Sequence, residues 1–116
     1  MPTADERIDL IRSAYQAFNR RDIDVALALL DPEVEWPNVA GATVIHGHQA
    51  IRDYWENQFL NADPRVEPTG FRWQGERLVV SVHQTVWDRE GNLVLDGCVT
   101  HIYTFHGDRI VRMEVA

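Results

Sequence analysis

"RLVVSVHQTVWDREGNLVLDGCVTHIYTFHGDRIVRMEV", Arg77 to Val115, is the stretch on which the fold turns. It reads as three strands, Arg77–Asp88, Leu93–His106 and Arg109–Val115, separated by the short turns "REGN" and "GD". Upstream, "VEPTGFRWQ" (Val66–Gln74) reads as a further strand, joined on by "GE". Turns this short join antiparallel neighbours, so the second half of the chain predicts a four-strand meander.

The first half has a different period. "TADE" (Thr3–Glu6) has the capping-box pattern, with Thr3 as N-cap and Glu6 reaching back to it. Ile8, Ile11, Tyr15 and Phe18 then follow as a helical stripe, which "NRRD" ends. Asp22 is placed to cap a short second helix, "IDVALALL", stopped by Asp31-Pro32. "VEW" (Val34–Trp36) predicts a short strand broken by "PNVAG". A third helix runs from near Gly47 through "HQAIRDYWENQFL", with Ile51, Tyr54, Trp55, Gln58 and Phe59 on its buried face. Helices first and a meander after them predict α+β, with three N-terminal helices packed on one face of an antiparallel sheet.

Composition narrows the function classes. At 116 residues, the chain predicts a single domain over residues 1–116, able to bury a core without staples. Its one cysteine, Cys98, excludes an internal disulfide and points to a reducing, cytoplasmic setting. The polar, acidic start "MPTADERIDL" is unlike a signal peptide, and no apolar run approaches the ~20 residues that span a bilayer. A formal charge of −7 repels polyanions, so neither nucleic acid nor membrane is an expected partner. Leu78, Val80, Val82 and Val86 share one face of their strand, with Val79 and Trp87 on the other. A sheet covered by helices on one side only does not need two apolar faces, so the outer one predicts a homodimer through the sheet.

The order helix, short helix, strand, helix and meander resembles the SnoaL-like domains of the nuclear transport factor 2-like superfamily, which includes the ketosteroid isomerases. Three segments carry the resemblance: "AYQAFNRRDIDVALALLDPEVEW", "HGHQAIRDYW" and "HIYTFHGDRIVRMEV". It implies a cone-shaped α+β barrel, a strongly bent sheet wrapped round the helices, whose wide end opens on an apolar pocket. It also implies a small, apolar, cyclic molecule as ligand and cofactor-free acid/base chemistry of isomerase, cyclase or hydrolase type. The same fold hosts non-catalytic binding and assembly domains, which is the alternative reading.

Carried over residue by residue, the resemblance to ketosteroid isomerases places Ala14, Trp36 and His101 where their tyrosine, base and second oxyanion donor stand. Two of those three positions have lost the chemistry. In the cyclases a strand histidine works with an aspartate near the end of the last strand. His101 matches the histidine, while Val115 holds the aspartate position, with Glu114 beside it. The epoxide-hydrolase relay would need Asp96 and Arg112 to meet.

His101 is therefore the leading candidate. It shares a strand face with Val99, Tyr103 and Phe105. It reads either as a satisfied core histidine or as a pocket acid/base group, whose ordinary pKa of about 6.5 suits proton transfer. His83 depends on the turn. A three-residue loop "EGN" pairs Arg89 with Leu93 and sets His83 diagonally across from His101, ~7–8 Å away, with Ser81, Thr85 and Trp87 on the same face. A four-residue loop puts the two histidines on opposite faces. Gly91 can supply the positive φ of the three-residue form, which is the one expected.

Trp36 and Trp87 match pocket-lining positions of the resembling families. Tyr15, Phe18, Tyr103, Val99 and Met113 complete the expected substrate wall. "HGH" (His46, His48) has a metal-like spacing, but Gly47 sits at a predicted helix start and no carboxylate ligand follows closely, so no metal and no cofactor are expected. Cys98 has no base on its own strand face and is expected to be buried and inert.

Overall fold

A computed structural model of the chain describes residues 3–38 and 43–116. Helix α1 (Ala4–Asn19) begins at the predicted cap, where the Thr3 hydroxyl accepts from the Glu6 N–H at 3.1 Å. Its stripe buries Ile11 and Tyr15, with Ile8 and Phe18 packed against the core. Arg21 ends the helix in the left-handed region, φ 64°. Its guanidinium pairs with Asp63 and lies 4.3 Å from the centre of the Phe59 ring. Asp22 caps α2 (Ile23–Ala28), accepting from the Val25 N–H.

Strand β1 (Leu30–Asn38) and β2 (Thr43–His46) precede α3 (His48–Asn61), which buries Ile51 and Trp55. The meander follows as β3 (Ala62–Gln74), β4 (Arg77–Asp88), β5 (Leu93–His106) and β6 (Arg109–Val115). The bounds of β4, β5 and β6 are those expected. β1 is longer than expected, because Pro37 is accommodated opposite Val44 beside the edge strand β2; residues 39–41 of the expected break lie outside the described residues. β3 starts before Val66 because Pro64, opposite Val86, sits on the sheet's edge, where a missing N–H breaks no ladder.

The strand order is β2-β1-β6-β5-β4-β3. Two corrections follow for the expected antiparallel barrel. β1 lies parallel to β6, so the sheet is mixed. It is also open, with β2 and β3 as its edges. The parallel seam is held by Arg112, whose Nε and Nη2 donate to Glu35 Oε2 at 2.9 and 2.6 Å, and by the Ile110 N–H donating to the Leu29 carbonyl. On the other edge, Asn19 of α1 serves both backbone groups of Val66: Nδ2 donates to its carbonyl at 2.7 Å and Oδ1 accepts from its N–H at 3.0 Å. An edge strand leaves such groups unpaired, so one side chain fixes α1 against β3.

The β4–β5 register also departs from expectation. Leu93 faces Trp87, not Arg89, and Val94 is then left over, since Leu95 faces Val86. One extra residue turns every later side chain to the other face relative to its neighbour. His83 accordingly faces Cys98, and Val80 faces His101. Val80, Val82, Gln84 and Val86 point to the helices; Ser81, His83, Thr85 and Trp87 point away. The outer face of the long strands is thus mostly small and polar rather than apolar. No helix among the described residues is long and apolar enough to cross a membrane.

Candidate functional site

Between the helices and the inner face of the sheet lies a cavity of about 330 Å³. α1 contributes Ala14, Tyr15 and Phe18; β1, Trp36; α3, Tyr54, Trp55 and Gln58; β3, Val66. β4 adds Gln84, β5 adds Leu95, Val99, His101 and Tyr103, and β6 adds Met113 and Val115. Trp55 organises the aromatic side, meeting Trp36 edge-on at 5.5 Å and Phe18 edge-on at 5.8 Å between ring centres.

At the inner end three polar groups form a chain. The Tyr103 hydroxyl donates to the Tyr15 hydroxyl at 2.7 Å. The Tyr15 hydroxyl lies 2.7 Å from His101 Nδ1. With Tyr103 as donor, the partner left for the Tyr15 proton among the described residues is Nδ1, which assigns the imidazole's own proton to Nε2. Among the described residues no sealed-off polar side-chain atom lacks a partner, and Nε2 has no protein partner there, so Nε2 is not sealed off.

Burial pushes His101 down to about 4, so the ring is neutral at neutral pH. The Tyr15 bond to Nδ1 acts in the same direction, because it favours the uncharged ring. Burial first, and the neighbouring Tyr103 second, raise Tyr15 well above the usual phenol range. Burial raises Tyr103 too, opposed by its bond to Tyr15. The inner end therefore presents a neutral N–H donor backed by two hydroxyls that keep their protons.

Of the expected wall, Trp36, Tyr15, Phe18, Tyr103, Val99 and Met113 line this cavity beside His101. His83 and Trp87 do not, because the bulge at Val94 turns them to the outer face. There His83 Nε2 lies 2.5 Å from Asp96 Oδ1. Cys98, expected to be buried, is exposed beside them, because alternation along β5 sets it on the face opposite to His101 and no element of the described residues covers that face. Asp96 and Arg112 do not form a relay, since one pairs with His83 and the other with Glu35. Glu114 faces Ile102 on the outer side and meets Arg77 at 3.5 Å, leaving Val115 on the cavity wall.

The "HGH" histidines part company: His46 approaches Glu33 at 3.3 Å, while His48 Nε2 lies 2.9 Å from the Leu30 carbonyl. Sequence reasoning missed Gln84 and the Tyr15–His101 bond. Gln84 had a signal, being the gap in the inward series Val80, Val82, Val86.

The family model of the SnoaL-like domain matches residues 11–113. The chain belongs to the SnoaL-like family. Solved structures place this SnoaL-like chain in the nuclear transport factor 2-like superfamily. It is similar to an NTF2-like protein of unknown function from Burkholderia pseudomallei, at 26% identity and a TM-score of 0.83 over 96% of this chain and 89% of that one. TerC, solved co-crystallised with polyporic acid, is 27% identical, with a TM-score of 0.84 over 96% of this chain and 90% of the other. An epoxide hydrolase of the LEH-like kind from M. tuberculosis shares the fold at 18% identity and a TM-score of 0.82, over 98% and 84% of the two chains. No curated protein matches the chain.

Proposed function

We propose that this SnoaL-like protein takes a small, largely apolar, flat or cyclic molecule bearing a carbonyl, and polarises that carbonyl through the Nε2–H of His101. The observation that carries the reading is the hydroxyl chain ending on Nδ1. A neutral imidazole aimed from an apolar wall costs no reorganisation when charge develops on a bound oxygen, and donors so placed are worth ~10²–10³ in rate. The chemistry is cofactor-free and of the isomerase, cyclase or hydrolase type: His101 steadies the negative oxygen of the enolate while the α-proton passes to water entering the cavity, since no side-chain base lines it among the described residues. The co-crystallisation of TerC with polyporic acid supports a small organic ligand in this fold. His101 serves as a fixed donor rather than a proton carrier, since giving up Nε2–H would leave the charge on a buried phenol that resists ionisation.

A specific observation favours a second reading, a non-catalytic binding domain: no carboxylate lines the cavity among the described residues. One experiment separates the two. Ketones and their matched hydrocarbons are compared by thermal shift against wild type and His101→Phe, and exchange of the ketones' α-protons into deuterated water is followed by NMR. A ketone preference lost in the variant is expected, together with His101-dependent exchange. Equal stabilisation by ketone and hydrocarbon in wild type removes the His101 role; a ketone preference without exchange leaves the binding domain.

The protein is further proposed to be cytoplasmic and to form a homodimer through the sheet. What supports the dimer is the start of β5, where Leu93, Val94 and Leu95 are 53, 59 and 47% exposed. There β5 runs on past the end of β6, leaving an apolar edge.

A further inference from the structure

The cavity has a second polar pole. On the inner face of the hairpin, Val80 stands opposite His101, Val82 opposite Val99 and Gln84 opposite Gly97. Gln84 is thus two inward rungs from His101, about 13 Å along the strands, with an apolar rung between them. Its carboxamide has no hydrogen-bond partner among the described residues, and its polar atoms are not sealed off. An accessible amide on an apolar wall loses its water when an apolar ligand covers it, a cost that a polar group on the ligand offsets. Across from it, a Cβ added to Gly97 would meet nothing within 4 Å, so the space above that residue is open.

We propose that the cavity selects an elongated apolar ligand with a polar group at each end, one accepting from His101 and the other bound by the Gln84 carboxamide over Gly97. The inner half of this statement rests on the reading of His101 given above. The outer half stands on the register, the free carboxamide and the empty space at Gly97. A carboxamide both donates and accepts, so a hydroxyl or a second carbonyl satisfies it equally.

Three probes test it by isothermal titration calorimetry: acetophenone, para-acetylbiphenyl, and the same biphenyl with a hydroxyl on its far para carbon. With wild type, affinity is expected to rise with the second ring and about fivefold further with the hydroxyl. Gln84→Leu loses the hydroxyl increment and keeps para-acetylbiphenyl; Gln84→Met serves if the leucine variant does not fold. Gly97→Leu, or Gly97→Ala in a milder form, weakens both biphenyls and spares acetophenone.

A hydroxyl that brings no gain in wild type, or a gain that survives both Gln84 variants, overturns the proposal. Acetophenone binding unchanged by His101→Phe overturns the His101 reading alone, since the Gln84 increment is measured between the two biphenyls. Failure of all three probes to bind wild type overturns both.

Discussion

The Tyr15 hydroxyl lies 2.7 Å from His101 Nδ1, although 86 positions separate the two residues in the chain. The bond joins α1 to β5 across the inner end of the cavity, and Tyr103 completes it from two residues along the same strand face. An inward histidine among apolar side chains is thereby both a satisfied residue and a directed one: one nitrogen is occupied by the protein and the other is left for a ligand.

The order of donors makes the two tyrosines unequal. Tyr15→Phe strands the buried Tyr103 hydroxyl and deprives His101 Nδ1 of its partner, at a cost of about 1–3 kcal/mol. Tyr103→Phe leaves the Tyr15 bond to His101 intact and costs about 1 kcal/mol. In the double variant the stranded hydroxyl is gone, so the two losses sum to more than the measured total. Urea denaturation of the four proteins checks this; strictly additive losses exclude the chain.

His101 gives stability a pH dependence of known sign. Its folded pKa, about 4, lies below the ordinary value, so between the two the unfolded chain binds a proton that the folded chain does not. Stability therefore rises with pH across that window and is lost as pH falls from about 6.5 towards 4, by up to about 3 kcal/mol. Carboxylates common to both proteins cancel when wild type is compared with His101→Phe. A difference between the two that stays flat from pH 7 to 4 would mean that the fold does not hold the ring neutral.

Much of this was legible in the sequence, and the exceptions have physical causes. Capping at Thr3 and Asp22 and the bounds of β4 to β6 depend on local chemistry, which a single chain carries. The face on which His83 lies depends on one unpaired residue, Val94, and nothing in "REGNLVL" fixes where a bulge falls. The same slip sent Trp87 outward while leaving His101 inward, because His101 was placed by its own apolar neighbours. The parallel contact of β1 with β6 joins segments far apart in the chain, and strand pairing over that distance has no local signal.

Asn19 offers a stability test remote from the chemistry. Its carboxamide satisfies both the N–H and the carbonyl of Val66 on the exposed edge of β3. Asn19→Leu removes both bonds and is expected to lower stability by about 1–3 kcal/mol, with the denaturant slope unchanged. Asn19→Asp keeps the acceptor and loses the donor, so its midpoint should fall between those of wild type and the leucine variant. An aspartate variant no better than leucine would show that packing, not the paired bonds, fixes α1 to β3.

Cys98 reports on the proposed dimer without disturbing the cavity. It is exposed on the outer face opposite His83, on the same strand as the apolar run Leu93–Leu95. In dilute solution the thiol should react with a disulfide reagent at the rate of an accessible cysteine. If a second copy covers the sheet, that rate falls as protein concentration rises, in step with the mass measured by sedimentation. Replacing Leu93 and Val94 by lysine places charge in the contact and should restore the dilute rate at every concentration, because unpaired charges on a buried edge oppose association. A thiol equally reactive at all concentrations, with a mass that stays at one chain, would leave the outer face free and the protein a monomer.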